Sequence, residues 1–418
     1  MGARSLYFDR RMLAIGLMGF ASGLPLPLTA GTLLYWLRLE GIDRTQIGLF
    51  ALVGLPYALK FLWAPAVDEL RLPWLGARLG QRRSWVIVSQ LALAGAFLGL
   101  GATDPGADPF ATARWALLVA FLSATQDVAV DAYRVEVLAE REQGAGAAAT
   151  QAGYRGGLLA SGAGALALSD HAPFSLVFTA LAALLALGAF GVAIGPEPPL
   201  ARGRAAGTPI AERLRRSVLE PLLDLARRPQ FAAIVAFAVL YKFGDAIAGV
   251  MASPFYVDLG FTGTEVASAS QVPGLAANVA GVFAGGWLVA RLGVLRALVW
   301  GGIAQAVTNL LFAALALAGK DVALLVTAVS ADQFAGGLAS SAFVAFLSAL
   351  CSPGAAATQY ALLTSLMAVG RTGLSAGGGW LADQLGWPAF FASTTLLAAP
   401  GLLLLWWLAS RRAAGRPG

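Results

Sequence analysis

Thr125-Gln-Asp-Val-Ala-Val-Asp-Ala-Tyr-Arg-Val-Glu136 lies inside an apolar run that starts near Ala113 and ends near Leu138. A run of this length crosses a bilayer as one helix. Asp127 and Asp131 share one face of that helix. Carboxylates at lipid depth are costly. They either carry a function or pair with a base on a neighbouring helix. Apolar runs of the same length recur along the whole chain.

Of the 418 residues, 58% are hydrophobic and 12% are charged, and the mean hydropathy is +0.71. A soluble domain carries about 25% charged residues. The runs are long, not short and alternating, so they predict helices and not a β-barrel. The net charge of +6 would suggest nucleic acid in a soluble protein. Here the excess is loop arginine, and no nucleic-acid partner is expected. The single cysteine, Cys351, excludes an intrachain disulfide and a multi-cysteine metal site. The only histidine, His171, is next to a predicted loop and is given no role. No Cys/His pair, metal cluster or phosphate-cradling loop is present. Neither a cofactor nor an enzyme activity is expected.

Twelve spans are predicted, at 12–36, 46–67, 84–103, 113–138, 148–168, 174–194, 231–257, 264–289, 297–317, 322–351, 358–382 and 388–409. An even number places both termini on one side. With that side inside, 21 of the 29 basic residues fall at inside segments and four at outside ends. This asymmetry puts both termini in the cytoplasm. Trp36, Trp115, Trp287, Trp380, Trp387, Trp406 and Trp407 lie near span ends and suggest an interfacial belt.

Gly146-Ala-Ala-Ala-Thr-Gln151 recurs as Gly354-Ala-Ala-Ala-Thr-Gln359, half a chain away and at the start of the span six later. Gly285-Gly-Trp-Leu288 at the inner end of span 8 recurs as Gly378-Gly-Trp-Leu381 at the outer end of span 11. That relation is expected of inverted three-helix units. The chain therefore reads as a half over 1–195, a linker over 196–230 and a half over 231–418. In the linker, Thr208-Pro209 opens an amphipathic helix that lies on the membrane or packs on the protein.

Spans 3, 6, 9 and 12 hold no charge, so they can face lipid while the others enclose a polar cavity. Lys60, Asp127, Lys242, Asp245, Asp332 and Arg371 fall near mid-span, and Arg155 lies in span 5. Lys242 and Asp245 are three apart and can pair along one face, as a structural bridge or as a proton switch. Arg371 and Lys60 suit an anionic group. Gln126, Gln333, Gln359 and Tyr154 can hydrogen-bond a polar ligand or bridge helices. Tyr241 adjoins Lys242. Glycines crowd spans 5, 8 and 11, for tight packing or for sliding.

Charge-free every third helix and two six-helix halves resemble the major facilitator superfamily. Asp68 followed by Gly80-Gln-Arg-Arg83 is similar to its inner-gate loop. Gly286-Trp-Leu-Val-Ala-Arg-Leu-Gly293 is similar to the second such loop, with Arg291 kept and Ala290 where an aspartate is usual. Several further blocks resemble the AmpG-type muropeptide permeases. They are Gly19-Phe-Ala-Ser-Gly-Leu-Pro-Leu-Pro-Leu-Thr-Ala-Gly31, Lys60-Phe-Leu-Trp-Ala-Pro65, Gln126-Asp-Val-Ala-Val-Asp-Ala-Tyr-Arg134, Gly153-Tyr-Arg155, Leu240-Tyr-Lys-Phe-Gly-Asp245 and Ala357-Thr-Gln-Tyr-Ala-Leu-Leu363. Acetyl-CoA transporters carry a similar Gln-Asp block.

The resemblance implies an inner-membrane importer in lipid, carrying N-acetylglucosaminyl-1,6-anhydro-N-acetylmuramyl peptides from periplasm to cytoplasm with protons; a monomer is expected. An acyl-CoA or peptide carrier on the same scaffold is the alternative. Substrate contacts are expected from Lys60, Gln126, Tyr154, Arg155, Tyr241, Lys242, Gln333, Gln359 and Arg371. Protons are expected at Asp127, Asp245 or Asp332. The gate is expected at Asp68, Asp131, Arg134 and Arg291, with Arg155 beside Asp131 and Arg134.

Overall fold

Each long apolar run folds as a helix, because a backbone removed from water must satisfy its own hydrogen bonds. The computed structural model describes residues 9–139, 142–198, 212, 215, 231–350 and 356–413. Among these residues there is no strand, and the helices group into twelve rods. They are α1 (Arg10–Leu39), α2 (Arg44–Leu62), α3 (Gln81–Gly101), α4 (Pro109–Val137), α5 (143–169), α6 (Phe174–Ile194), α7 (Phe231–Asp258), α8 (263–292), α9 (Val294–Ala318), α10 (Val322–Leu350), α11 (356–385) and α12 (387–413). Among the described residues, ten stretches are long and apolar enough to cross a membrane. Neither α5 nor the Ala356–Ser375 helix of α11 is one of them. These are the two rods that carry the repeated Gly-Ala-Ala-Ala-Thr-Gln. The linker helix expected after Thr208 lies outside the described residues, Glu212 and Arg215 apart.

The chain forms two compact units. One is Met1–Glu40 with Val53–Arg213; the other is Gly41–Leu52 with Leu214–Gly418. The short segment Gly41–Leu52 thus packs with the second unit. Nothing in the sequence pattern indicates this.

Regularity follows position in the three-helix repeat only in part. α3, α6 and α9 are unbroken while α12 breaks at Ala398, and α4 and α10, each of 29 residues, are unbroken too. α2, α5, α8 and α11 are all irregular. α2 contains 3-10 turns at Phe50–Gly54 and Lys60–Leu62. α5 contains a π-turn at Ala160–Gly164, and α8 another at Ser270–Gly274 that includes Pro273. α11 is interrupted at 376–377. α1 breaks around Pro25 and Pro27, where proline lacks the N–H and crowds the preceding turn. α7 breaks at Tyr241–Lys242.

Small residues allow close approach inside each unit. A Cβ at Gly153 of α5 would run into the Gly16 carbonyl of α1, and one at Gly157 into that of Phe20. In the second unit Gly281 and Gly285 of α8 stand in the same way against the Phe334 and Leu338 carbonyls of α10. Rod ends are capped by nearby side chains. The Asp108 carboxylate accepts the Ala111 N–H at 2.9 Å ahead of Pro109 at the first helical position. Asp9 caps α1 by accepting the Arg11 N–H at 3.0 Å. That N–H, and then the Arg11 guanidinium, hold the Asp9 carboxyl below the usual aspartate range.

The tryptophan belt is only partly as expected. Trp115, Trp287, Trp380 and Trp406 are exposed. Trp36 and Trp387 are buried instead. Trp36 stacks on Phe174 at 4.9 Å, and Trp387 packs edge-on to Phe255 at 5.2 Å. Both are drawn inward by aromatic neighbours at rod ends.

Candidate functional site

In the first unit the polar groups gather where α2, α4 and α1 meet. The 3-10 turn of α2 presents Lys60, whose Nζ lies 3.7 Å from Asp127 Oδ2 on α4. Beside the pair, the Trp63 indole N–H donates to Thr125 Oγ1 at 3.0 Å, and its ring packs on Phe121. The Tyr57 and Tyr154 hydroxyls lie within electrostatic reach of Asp127. Tyr57 is a member of this group that the sequence reading missed. Gln126 is fully buried and donates to Ser22 Oγ at 3.3 Å. It therefore joins α4 to α1 and does not present its amide to a ligand.

One turn along α4, Asp131 is mostly exposed and pairs with Arg134 at 3.6 Å. Arg155 is exposed and makes no ion pair among the described residues, so it is not brought to Asp131 and Arg134. The side chain of Asp68 lies outside the described residues.

Instead, the expected gate end of this unit is held by acids that the sequence reading did not single out. Buried Arg82 donates to both Glu136 oxygens, at 2.9 and 2.6 Å. Glu197 accepts the backbone N–H groups of Arg82 and Arg83 at 2.9 and 3.1 Å, capping α3 from a distant part of the chain. The Tyr133 hydroxyl donates to the Pro196 carbonyl at 2.9 Å, so the first residue of the linker is tied to α4. Arg11 bridges α1 to Glu142 at 3.0 and 3.1 Å. Glu136 was within the opening stretch, and the Gly-Gln-Arg-Arg motif was the available signal for its partner.

In the second unit the break in α7 places Lys242 at a helix start. Its Nζ lies 3.9 Å from Asp245 Oδ2 and 3.4 Å from Ser340 Oγ of α10. A cavity of about 270 Å³ opens beside it, lined by Lys242, Arg371, Ser340 and Thr364 with Phe343 and Met367 among its apolar walls. The sequence reading thus paired Lys242 with Asp245, and the structure adds Arg371 to the same cavity. Asp332 is turned toward α9, where its Oδ1 accepts from Thr308 Oγ1 at 3.3 Å. Its charge still reaches Lys242.

Tyr241 does not face this cavity with its hydroxyl. The O–H donates to the Leu298 carbonyl at 2.7 Å, and the ring stacks on Phe343 at 5.4 Å. The Gln333 carbonyl accepts from Asn278 at 3.1 Å, joining α10 to α8. The Gln359 side chain lies outside the described residues. Arg291 ends α8 with its guanidinium 5.8 Å from the Trp287 ring.

A second polar cluster of this unit surrounds Arg44. Its Nε and Nη2 donate to Asp258 Oδ2 at 3.1 and 2.7 Å, and the guanidinium lies 4.3 Å from the Trp387 ring centre. The Trp387 indole donates to the same Asp258 oxygen at 2.9 Å. Thr45 donates twice to Asp383, from its N–H at 3.0 Å and its hydroxyl at 2.8 Å.

Two lysine–aspartate pairs inside lipid-length rods and a cavity lined by Lys242 and Arg371 can bind an anion and exchange a charge. Comparison with known proteins decides the family. The chain is 38% identical over 399 residues to the anhydromuropeptide permease of Escherichia coli, covering 95% of this chain and 79% of that one. The chain belongs to the AmpG permease family. It is also 33% identical over 405 residues to the AmpG 4 transporter of Rickettsia conorii, covering 96% and 97% of the two chains.

A profile of the major facilitator superfamily matches residues 238–418, and one described as acetyl-coenzyme A transporter 1 matches 12–103. The latter match stops short of the Gln126-Asp-Val-Ala-Val-Asp131 block. Among solved structures the D-xylose–proton symporter is similar with a TM-score of 0.69 at 12% identity, over 96% of this chain and 97% of that one. A bacterial homologue of the lysosomal transporter Spinster gives 0.67 at 14% identity, over 98% of both chains. These likenesses show the major facilitator fold. As an AmpG-type permease of that fold, the protein is a multi-pass protein of the bacterial inner membrane.

Proposed function

We propose that the protein imports cell-wall-derived anhydromuropeptides from periplasm to cytoplasm, coupled to protons, by alternating access of its two halves. The names of its relatives support the solute, and the placement of basic residues supports cytoplasmic termini. The observation that carries the coupling is the looseness of the lysine–aspartate pairs. At 3.7 and 3.9 Å, Lys60–Asp127 and Lys242–Asp245 are ion pairs too long for hydrogen bonds. A substrate carboxylate can therefore compete for each lysine. The released aspartate is then an unpaired charge among apolar rods, which a bound proton neutralises.

In this reading Lys60, Lys242 and Arg371 meet peptide carboxylates, and Tyr154 and Arg155 stand near the sugar hydroxyls. Asp127, Asp245 or Asp332 holds the proton. Arg82, Glu136, Glu197, Asp131 and Arg134 brace the gate end of the first half.

Uptake of labelled anhydromuropeptide into energised membrane vesicles tests the proposal. Accumulation is expected to collapse with a protonophore. At least one of Asp127→Asn, Asp245→Asn and Asp332→Asn is expected to abolish accumulation while keeping solute exchange. If all three keep full uptake that still responds to pH and to a protonophore, none of these carboxylates carries the proton.

The match of residues 12–103 to the acetyl-coenzyme A transporter profile supports a second reading, an acyl-CoA carrier. Saturable binding of CoA thioesters without anhydromuropeptide uptake would favour it.

A further inference from the structure

The loop between α2 and α3 reads Leu70-Arg-Leu-Pro-Trp-Leu-Gly-Ala-Arg78. Trp74 sits at its tip with φ 66° and ψ −58°. The Leu75 N–H donates to the Pro73 carbonyl at 2.7 Å and closes a γ-turn on Trp74. Such a positive-φ turn is rare and strained at a residue other than glycine. Here it directs the indole away from the protein. Trp74 is 85% exposed, the highest among the large apolar side chains described, with Leu70 and Leu75 also exposed beside it.

Contacts behind the tip hold this presentation in place. The Trp85 indole donates to the Leu70 carbonyl at 2.8 Å, and the Gly76 N–H donates to that of Leu72 at 2.9 Å. Gly76 is buried against the Arg71 stem. Arg71 and Arg78 are exposed, and neither guanidinium has a hydrogen-bond or ion-pair partner among the described residues. Between Leu70 and Leu79 there are two arginines and no acid.

The loop leaves one membrane rod and enters the next, so it lies at a membrane face. An outward indole flanked by leucines and unpaired arginines suits the boundary between acyl chains and charged headgroups. We propose that this loop is a docking site for anionic lipid headgroups, with Trp74 seated in the interfacial layer and Arg71 and Arg78 on lipid phosphates. A second copy of the loop would oppose like charges. A zwitterionic headgroup would leave both guanidinium charges unbalanced. The proposal rests on membrane placement alone and is independent of the solute carried.

The test uses the full chain with Cys351→Ser and Trp74→Cys, labelled with bimane and placed in nanodiscs of phosphatidylcholine, with or without phosphatidylglycerol. Quenching by headgroup-labelled lipid is expected to be stronger with phosphatidylglycerol and to fall when Arg71→Gln and Arg78→Gln are added. In native mass spectrometry of the Trp74-intact chain, each arginine removed is expected to lower phosphatidylglycerol retention about fivefold. These sites are exposed, and unchanged melting of the variants verifies their fold.

Equal quenching in both lipids, unaffected by the arginines, overturns the anionic assignment. Absence of quenching in both overturns lipid contact altogether. Quenching that is lost only when two copies are cross-linked through the loop assigns the site to a second chain, and the proposal fails.

Discussion

A guanidinium with 3% of its side-chain surface exposed, as Arg82 has, is paired with Glu136. Glu136→Ala should therefore destabilise the protein by about 3–5 kcal/mol. Arg82→Met combined with Glu136→Leu should recover much of that loss, because both members of the pair are removed together. Arg82→Lys should fall between them, since lysine cannot form the two-pronged contact. Thermal melting of the three variants in detergent ranks them.

Asp9 gives a pH-dependent counterpart at a helix cap. Its carboxyl is held low by Arg11, so its contribution is complete above the unfolded aspartate value of about 3.9. The contribution is lost as pH falls through the lower folded value. Asp9→Ala should cost about 1 kcal/mol at neutral pH. Melting curves of variant and parent should converge in acid and stay apart near neutrality.

At this scale the sequence exposed which residue types sat in the membrane, but not which way neighbouring side chains point. Successive residues on a helix point about 100° apart. Lys242 can thus face the cavity while Tyr241 bonds Leu298 on α9, and Asp127 can face Lys60 while Gln126 bonds Ser22 on α1.

Among the elements, glycines at one spacing have two different meanings. Gly153 has the Gly16 carbonyl where a Cβ would go, and Gly286 has open space. Gly153→Val should force α5 off α1 and destabilise by about 1–3 kcal/mol or more. Gly286→Ala should be neutral or stabilise by roughly 0.5–1 kcal/mol, through helix propensity alone. Melting temperatures compare the two directly.

Most span positions were legible from hydropathy, with α5 and the Ala356–Ser375 helix outside the ten stretches long and apolar enough to cross a membrane. The irregular turns were less so. Pro25 and Pro27 lie at the break in α1 and Pro273 in the π-turn of α8, but the π-turn of α5 runs through Ala-Ser-Gly-Ala-Gly, which carries no breaker beyond small residues. Its position becomes readable only through the repeat, since α2, α8 and α11 are irregular as well.

For the whole molecule, the long central linker and the repeat point to a division into halves. The allegiance of Gly41–Leu52 is written in neither. Arg44 and Asp258 are separated by 214 residues, and no periodicity links them. Asp258→Asn should weaken the Arg44 contact, with Trp387 losing part of the same acceptor. Amide exchange across 44–49 should then rise about tenfold or more, as expected for loss of a charged hydrogen bond. Exchange in α9 should not change. Hydrogen–deuterium exchange with mass spectrometry reads both.

The same segment has a topological consequence. The chain passes from one packing unit to the other after Glu40, after Leu52 and after Arg213, not once but three times. It is laced, in the manner of an exchanged segment between swapped partners. A polypeptide cut once within 196–230 should therefore reassemble from co-expressed fragments, because the first fragment carries a dozen residues whose packing partners are on the second. Replacing Arg44 and Thr45 by alanine should weaken co-purification of the fragments.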